Sequence, residues 1–293
     1  MNLRTYLAQH KALVEQRINE YLSADGMPAN LHKSMAYSLN AGGKRIRPVL
    51  VFAGAEAVGG DIKRVMPLAV TLEMIHTFSL IHDDLPAMDD DDLRRGKPTN
   101  HKVFGEATAI LAGDALLAEA FWILTKASPA CAPALVLDVI CDVAEASGAR
   151  GMTGGQVFDM EATGKALTEA ELENVHRHKT GKLLSVSVVG GAKLCGATDA
   201  QLKALSIYGA AIGLAFQIAD DILDIEGTEE EIGKDVGSDV DAHKATYPAI
   251  IGIEAARIKE RCLVDEAISA LAIFDDKADP LREIAKYIVD RKT

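Results

Sequence analysis

The chain has 293 residues, of which 48% are hydrophobic and 25% are charged, as in ordinary globular proteins. Its 43 acidic residues outnumber its 31 basic residues, so the formal net charge is −12, which disfavours a general binder of nucleic acid or of anionic membranes. A chain of this length can bury a substantial core, and an anionic ligand would have to be attracted by local basic residues or by a bound metal ion.

The segment at the N-terminus carries charges such as Arg4 and Lys11 and has no apolar core, so no signal peptide is predicted. The longest apolar stretch, near residues 107–125, is interrupted by Asp114 and Glu119, which argues against a membrane span. The four cysteines show no metal-ligand spacing. Buried, reduced thiols and a cytoplasmic location are therefore expected.

Helical periodicity dominates the chain, and no alternating β-branched segments or low-complexity linkers separate the helices. Helices are predicted over residues 2–22, 31–40, 47–58, 64–84, 107–126, 132–148, 168–189, 202–224, 245–271 and 280–291. Breaks are predicted at Gly26-Met27-Pro28, Gly42-Gly43, Gly59-Gly60, Ser128-Pro129, Gly190-Gly191 and Gly227. The pattern predicts one all-α domain over residues 1–293, a bundle of about ten helices around a central cavity.

The first motif with chemical content is the run Gly42-Gly43-Lys44-Arg45-Ile46-Arg47-Pro48. Its glycines precede a helix start, where backbone N–H groups and the helix dipole favour an anion. Lys44 and Arg47 are three positions apart and therefore lie close together. Basic residues after a glycine loop are common, so this signal is weak alone and gains value as a second anion site.

The first acidic cluster follows a helix in which His76 and Asp83 are nearly eclipsed, about 20° apart. Pro86 disfavours helix at the preceding residue, so the chain beyond it can bring Asp89 towards Asp83 and Asp84. A solvated acidic cap is the alternative interpretation. Six aspartates lie between positions 83 and 92, and an arginine pair follows them.

Arg94 and Arg95 could simply neutralise these aspartates. The functional alternative is that each guanidinium group binds a different diphosphate through bidentate hydrogen bonds. Further along, the runs 155–159 and 179–181 place polar side chains beside glycines within helical patterns. Such positions predict kinks that turn side chains into the cavity.

The second acidic cluster lies 137 positions after the first, near the end of the predicted helix 202–224. Gln217, Asp220, Asp221 and Asp224 form a stripe opposite the apolar face of this helix. Like charges this close repel, and a divalent cation between the carboxylates would relieve the repulsion. Two oxygen-only clusters suit Mg²⁺, which uses one or two carboxylates and completes its shell with water or phosphate.

Two lysines follow in a glycine-rich, charged segment, in the runs Gly233-Lys234-Asp235 and His243-Lys244. They are expected to close over the metal site as part of a lid. Exposed loop charges are the alternative interpretation.

Together the motifs resemble those of trans-prenyl diphosphate synthases, most of all the bacterial-type farnesyl diphosphate synthases, along nearly the whole chain. The resemblance rests on Gly-Gly-Lys-Arg-Ile-Arg-Pro, His-Asp-Asp-Leu-Pro-Ala-Met-Asp with Arg-Arg-Gly-Lys-Pro-Thr, Gly-Gln-x-x-Asp, Lys-Thr-Gly, and Gln217 before Asp220-Asp221-x-x-Asp224. It implies the all-α isoprenoid synthase fold, a homodimer, and condensation of isopentenyl diphosphate with dimethylallyl or geranyl diphosphate to give farnesyl diphosphate and pyrophosphate.

The resemblance also implies a role for each residue of the motifs. About three Mg²⁺ ions would be held by Asp83, Asp89 and Asp220, with Asp84, Asp221 and Asp224 in support. The allylic diphosphate would be bound by Arg94, Lys179, Lys234 and Lys244. Isopentenyl diphosphate would be bound by Lys44, Arg47, His76 and Arg95. Thr180 and Gln217 would face the allylic carbocation.

Product length depends on residues beneath the first acidic cluster. Ser79, one turn before Asp83, is small and leaves room for a growing chain. Phe78 is the aromatic residue five positions before the motif, where the family pattern resembles the farnesyl-length class. Geranyl and geranylgeranyl diphosphate synthases share every motif used here and stay open as alternatives.

Three other kinds of protein fit the motifs less well. A class I terpene cyclase has no need of a second anion site, which argues against it. A non-catalytic partner subunit should lack one acidic cluster, whereas both are present. A calcium-binding or acidic interaction protein lacks support because no Asp-x-Asp-x-Asp-Gly loop occurs.

Overall fold

The computed structural model describes residues 1–226 and 245–290, and over these residues the predicted all-α fold is confirmed. The helices are α1 Leu3–Tyr21, α2 Ala29–Leu39, α3 Ile46–Ala57, α4 Ile62–Asp83, α5 Asn100–Phe104, α6 Glu106–Leu124, α7 Pro133–Ser147, α8 Met152–Ala162, α9 Glu169–His176, α10 Lys182–Leu194, α11 Asp199–Glu226, α12 Tyr247–Ile251, α13 Ile253–Ala270 and α14 Asp279–Asp290. A π-helical turn, Arg177–Gly181, joins α9 to α10. Single 3-10 turns cover Thr125–Ala127, Leu271–Ile273 and Asp276–Ala278.

Local capping explains where several helices begin. The side chain of Asn2 accepts a hydrogen bond from Thr5 N at 3.1 Å, and that of Asp61 accepts one from Lys63 N at 2.9 Å. Thr168 and Glu171 form a capping box at the start of α9. These side chains satisfy backbone N–H groups that have no partner within the first helical turn.

Two buried hydrophobic clusters organise the bundle. The first surrounds α4 and α6, and the second surrounds α11 and α13. Helices α3 and α10 contribute side chains to both clusters, because opposite faces of each helix are buried. The acidic motifs therefore lie on helices of different clusters, at the ends of α4 and α11, with α3 and α10 between the two cores.

The predicted break at Gly190-Gly191 is wrong, because both residues lie inside α10. A Cβ atom at Gly191 would lie 2.1 Å from the carbonyl oxygen of Val51, and one at Gly190 would lie 2.9 Å from a methyl group of Leu68. These glycines permit close contact with α3 and α4. Close helix packing, and not chain reversal, is their structural role.

The predicted helix 245–271 is divided at Gly252, whose φ of +84° separates α12 from α13. The predicted interruption at Lys179-Thr180-Gly181 is confirmed as the π-helical turn between α9 and α10. Such turns add one residue to a helix and change the direction of nearby side chains. The predicted break at Gly227 lies outside the described residues.

A short antiparallel ribbon, absent from the predicted helix pattern, follows the first acidic motif. Its strands are β1, Leu93–Arg94, and β2, Lys97–Pro98, and Leu93 pairs with Pro98. Arg95 and Gly96 at its turn both have positive φ angles, of 55° and 72°. The ribbon fixes the direction in which the arginine pair leaves the backbone.

The cysteines and the longest apolar helices bear on two predictions from composition. All four cysteines are free, but only Cys131 is buried, while Cys141 and Cys262 are exposed, so the prediction of buried thiols is largely wrong. By length and hydropathy alone, three helices among the described residues could span a membrane: α4, α11, and α6 with its 3-10 extension. The most apolar windows of α4 and α11 are 72% and 61% buried inside the protein, against 39% for α6. The prediction against a membrane span stays a prediction.

Candidate active site

The glycine-rich basic motif forms the turn before α3. Gly42 and Gly43 have φ angles of +94° and +116°, a region that favours glycine. A Cβ atom at Gly43 would lie 2.6 Å from the guanidinium carbon of Arg95, so a larger residue there would displace that group from its place over the turn. Arg95 donates a hydrogen bond to the carbonyl oxygen of Gly42. The ribbon and the basic motif, 53 residues apart, therefore meet.

Arg47, in the first turn of α3, is the most notable basic residue of the motif. Among the described residues, its Nε atom is one of two buried side-chain polar atoms without a hydrogen-bond partner. Burial lowers the pKa of Arg47 to about 10, and the charges of Glu73 and Asp220 act against this shift. Asp220 on α11 thus lies within electrostatic reach of the basic motif, which brings both predicted parts of the site to one region.

His76, on α4, lies among arginines. Burial lowers its pKa well below the usual value, and Arg47, Arg95, Arg94 and Arg45 lower it further, so the imidazole ring is neutral near pH 7. A neutral ring can donate one hydrogen bond to an anion without adding charge. The four predicted residues Lys44, Arg47, His76 and Arg95 lie at one end of the α3–α4 pair, and Lys44 is exposed.

The first acidic motif folds back on itself as the sequence predicts. Asp83 is the last residue of α4, and its carbonyl oxygen accepts a hydrogen bond from Asp89 N at 2.9 Å. Asp84 differs from its neighbours because it is buried and pairs with Arg94 at 2.5 Å. Arg94 also contacts Asp91 at 3.0 Å. Burial raises the pKa of Asp84 to about 6, although Arg94 acts in the opposite direction.

The second acidic motif also contains a buried aspartate with several protein partners. Asp221 is buried, and its Oδ2 atom accepts a hydrogen bond from Tyr247 N at 2.9 Å and lies 3.2 Å from Nε2 of His176. Its Oδ1 atom accepts a hydrogen bond from Gln217 at 3.3 Å. Asp224 is buried, and Asp220 is half-buried. Asp221 therefore connects α9, α11 and the start of α12.

The π-helical turn brings together further residues of the predicted site. Thr180 donates a hydrogen bond to Gln217 Oε1 at 3.0 Å, so the two residues expected to face a carbocation are in contact. Lys179 pairs with Asp159 of α8 at 2.6 Å. A Cβ atom at Gly155 would lie 2.2 Å from Lys179 N, which explains the glycine in Gly-Gln-x-x-Asp.

The donors present fit Mg²⁺ that is held jointly by protein and substrate. Within residues 1–226 and 245–290, no group of three or more His, Cys, Asp or Glu side chains is arranged to hold a metal ion. Mg²⁺ does not need such an arrangement, because it uses one or two carboxylates and takes its other ligands from water and phosphate. The carboxylates of Asp83, Asp89 and Asp220 are suitable oxygen donors for a metal ion shared in this way.

The predicted product-length residues lie beneath the first motif. Phe78 is half-buried against the first hydrophobic cluster, and its ring meets the ring of His82 edge-on, with centroids 5.0 Å apart. Ser79 donates a hydrogen bond to the carbonyl oxygen of His76 at 2.9 Å. Lys234 and Lys244, expected to form the lid, lie outside the described residues.

Sequence reasoning missed several residues that support the site. Glu73 is a charged residue within the apolar run of α4, three positions before His76, and that placement was a usable signal. Arg45 was part of the basic motif but received no role. His176 and Tyr247 had no local signal, because their rings stack with centroids 5.6 Å apart only after α9 and α12 come together.

Comparison with known proteins agrees with this arrangement. The sequence model of the polyprenyl synthetase family matches residues 28–285. The chain is 50% identical to a farnesyl diphosphate synthase of Geobacillus stearothermophilus over 292 residues, covering 99% of this chain and 98% of the relative. It is 48% identical to a geranylgeranyl diphosphate synthase of Cyanophora paradoxa over 291 residues, covering 99% and 97%.

A solved structure gives the same result at the level of the fold. An FPP/GFPP synthase from Zymomonas mobilis superposes with a TM-score of 0.88 at 39% identity, covering 98% of this chain and 99% of that one. The predicted family, its fold and its prenyltransferase chemistry are thereby confirmed. Members of this family generally use a divalent metal ion. The chain belongs to the polyprenyl synthetase family.

Proposed function

We propose that this chain condenses isopentenyl diphosphate with dimethylallyl and then geranyl diphosphate, giving farnesyl diphosphate and pyrophosphate. The observation that carries the proposal is the position of Arg47, a half-buried arginine whose Nε atom is buried without a hydrogen-bond partner, within electrostatic reach of Asp220 and Arg95. A prenyltransferase needs two anion sites, one for each diphosphate. The arginines around His76 supply a site that the acidic motifs alone would not provide.

We assign the two diphosphates to different groups of residues. Arg47, Arg95, His76 and Lys44 bind isopentenyl diphosphate, since Arg95 and His76 lie within electrostatic reach of Arg47, and Lys44 is three positions before it in the basic motif. The allylic diphosphate lies between the two acidic motifs. We assign Arg94, Lys179, Lys234 and Lys244 as its protein ligands. Its metal ions would be held by Asp83, Asp89 and Asp220, with Asp84, Asp221 and Asp224 in support.

The reaction begins with ionisation of the allylic C–O bond. When bound, Mg²⁺ ions, about three per site, neutralise charge on the departing diphosphate. Arg94 and Lys179 contribute positive charge at the same group, and Lys179 exchanges its contact with Asp159 for the substrate. Preorganised charge of this kind lowers the barrier because it costs no reorganisation during the reaction.

The remaining steps depend on water exclusion and on dipoles. Thr180 and Gln217 direct oxygen atoms towards the allylic cation, and their mutual hydrogen bond fixes both side chains. The isopentenyl double bond attacks this cation and forms the new C–C bond. The released pyrophosphate then accepts a proton from the resulting tertiary cation, so no side-chain base is required.

We assign farnesyl diphosphate as the main product because Phe78 lies beneath the first acidic motif. Relatives with farnesyl and geranylgeranyl products match at similar identity, so overall similarity does not separate them. Incubation with labelled isopentenyl diphosphate and either allylic substrate, followed by chromatography, tests the assignment. A main product of 10 or 20 carbons would instead identify the chain as a geranyl or geranylgeranyl diphosphate synthase. If no labelled isopentenyl diphosphate were incorporated, prenyl transfer itself would be refuted.

We further propose a cytoplasmic homodimer that uses α6 as its interface. Leu111 and Trp122 are exposed large apolar side chains on one side of this helix, and the neighbouring Ile110 is also exposed. Leu137 on α7 is a further exposed apolar residue. Of the three long apolar helices, α6 is the least buried. Sedimentation equilibrium should give twice the chain mass, and Leu111→Glu should shift the protein towards monomer. A wild-type monomer would refute the dimer.

A further inference from the structure

A buried ion pair lies directly behind the predicted isopentenyl diphosphate site. Nη1 of Arg45 donates to Oε1 of Glu73 at 2.5 Å, and the two residues are only 3% and 2% exposed. Burying two charges costs free energy that their attraction recovers only when every donor is satisfied. Such a pair contributes little to stability by itself, so its location calls for another explanation.

The remaining donors of Arg45 fix the backbone of the basic motif. Its Nε atom donates to Glu15 at 3.2 Å, and Nη2 donates to the carbonyl oxygen of Leu39 at 2.5 Å. Arg45 has a φ of 55°, a left-handed conformation that non-glycine residues rarely adopt. Its carbonyl oxygen accepts the hydrogen bond from Val49 N that opens α3. Arg45 thus connects the backbone that precedes α3 to Glu73, Glu15 and Leu39.

Glu73 also acts on the neighbouring arginines. It lies one helical turn before His76 on α4, so both side chains point to the same region. Burial lowers the pKa of Arg47 and of Arg95, and in each case Glu73 gives the largest opposing effect. One carboxylate therefore reduces the mutual repulsion of Arg45, Arg47 and Arg95.

We propose that Glu73 and Arg45 are positioning residues for isopentenyl diphosphate: they hold Arg47 and Arg95 in place for the diphosphate group without touching it. This inference rests on the proposed function, which assigns Arg47 and Arg95 to that substrate. A buried carboxylate beside an anion site weakens the attraction for the anion. It is useful there because it keeps the arginines preorganised before substrate arrives.

The test separates positioning from a purely structural role. The double variant Arg45→Met/Glu73→Leu replaces the pair by apolar side chains of similar volume, a change that often preserves stability. We expect this variant to fold, as judged by circular dichroism and thermal unfolding. KM for isopentenyl diphosphate should rise by at least about 10-fold, the size of one lost charge-assisted hydrogen bond. KM for geranyl diphosphate and kcat should stay within about twofold.

A matched control uses another carboxylate of the same bundle. Glu56 of α3 accepts a hydrogen bond from Tyr6 at 2.6 Å and lies 3.6 Å from His10, away from the basic motif. Glu56→Gln should leave both KM values unchanged. Glu73→Asp keeps the charge but shortens the side chain, so it should raise KM for isopentenyl diphosphate less than the double variant does.

Arg47→Met distinguishes failure of this inference from failure of the proposed site. If Arg47→Met raises KM for isopentenyl diphosphate and the folded double variant does not, the positioning role is wrong and the site assignment stands. If neither variant changes that KM, the assignment of the site to isopentenyl diphosphate is itself wrong. Should the double variant not fold, an unchanged KM in Glu73→Asp overturns the positioning role.

Discussion

The two acidic motifs both begin with an Asp-Asp pair and end with a third aspartate, but they are held by different means. In the first, α4 ends at Asp83, and the chain turns so that Asp89 N reaches the carbonyl oxygen of Asp83. In the second, α11 continues through Asp220 and Asp224, so the helix itself aligns the carboxylates. One motif is shaped by a turn after a helix and the other by a helical face.

The central aspartates show the contrast most clearly. Asp84 is buried and compensated by the charge of Arg94, whereas Asp221 is buried and compensated by His176, an amide side chain and the backbone N–H of Tyr247. Both carboxylates are occupied by protein groups. We expect Asp83, Asp89 and Asp220 to bind metal and substrate, so adjacent aspartates in one motif should have separate roles.

The largest expected effect concerns the outer aspartates. Asp83→Ala or Asp220→Ala should reduce kcat by roughly 10³-fold or more, since each removes charge stabilisation of the leaving group. The fold should persist, because neither side chain is fully buried. Steady-state assays with circular dichroism measure both quantities. Asp92→Asn, in an exposed pair with Lys102, is the control and should change neither. Near-normal turnover in both alanine variants would contradict the metal assignment.

The central aspartates should differ in their sensitivity to loss of charge. Asp84→Asn leaves Arg94 without its buried partner and should lower kcat/KM by about 100-fold, a loss typical of charged hydrogen bonds. Asp221→Asn can still accept the hydrogen bond from Tyr247 N, so we expect about a 10-fold loss. Parallel assays of the two variants measure the difference. Equal losses would mean that the two motifs are compensated alike.

A smaller effect is expected at the ring that supports the second motif. His176→Ala removes the contact with Asp221 and the stacking on Tyr247, and should lower the free energy of unfolding by about 2 kcal/mol. The loss of kcat should be less than about 10-fold, since the side chain acts through Asp221. Urea denaturation measures the stability change. His178→Ala, two residues away and half-buried, should have less effect on both quantities and serves as the control.

The smallest effect on rate is expected beneath the first motif, where the product should change instead. Phe78→Ala removes an aromatic ring below Asp83 and should lengthen the main product beyond 15 carbons. Ser79→Phe should shorten it, because the small side chain one turn below Asp83 is replaced by a ring. Chromatography of the dephosphorylated products measures both changes. An unchanged product profile in both variants would remove this region from control of chain length.

Much of this arrangement could be predicted from local sequence. The stripe that contains Asp220 and Asp221 follows from helical periodicity, and the turn to Asp89 follows from the effect of Pro86 on the residue before it. The break at Gly190-Gly191 was predicted wrongly because glycine marks both turns and close helix contacts. Only the packing of α10 on α3, with Val51 O close to Gly191, distinguishes these roles.

The sequence by itself determined the residue types and their spacing: carboxylates at helix ends, a glycine turn before Lys44 and Arg47, and an arginine pair after the first motif. These features follow from interactions within a few residues. The tertiary structure decided which carboxylates are already compensated, because Arg45 with Glu73 and Asp221 with His176 are pairs separated by 28 and 45 residues. The physical reason is that burial and long-range partners set the cost of each charge, and both exist only once the helices have packed.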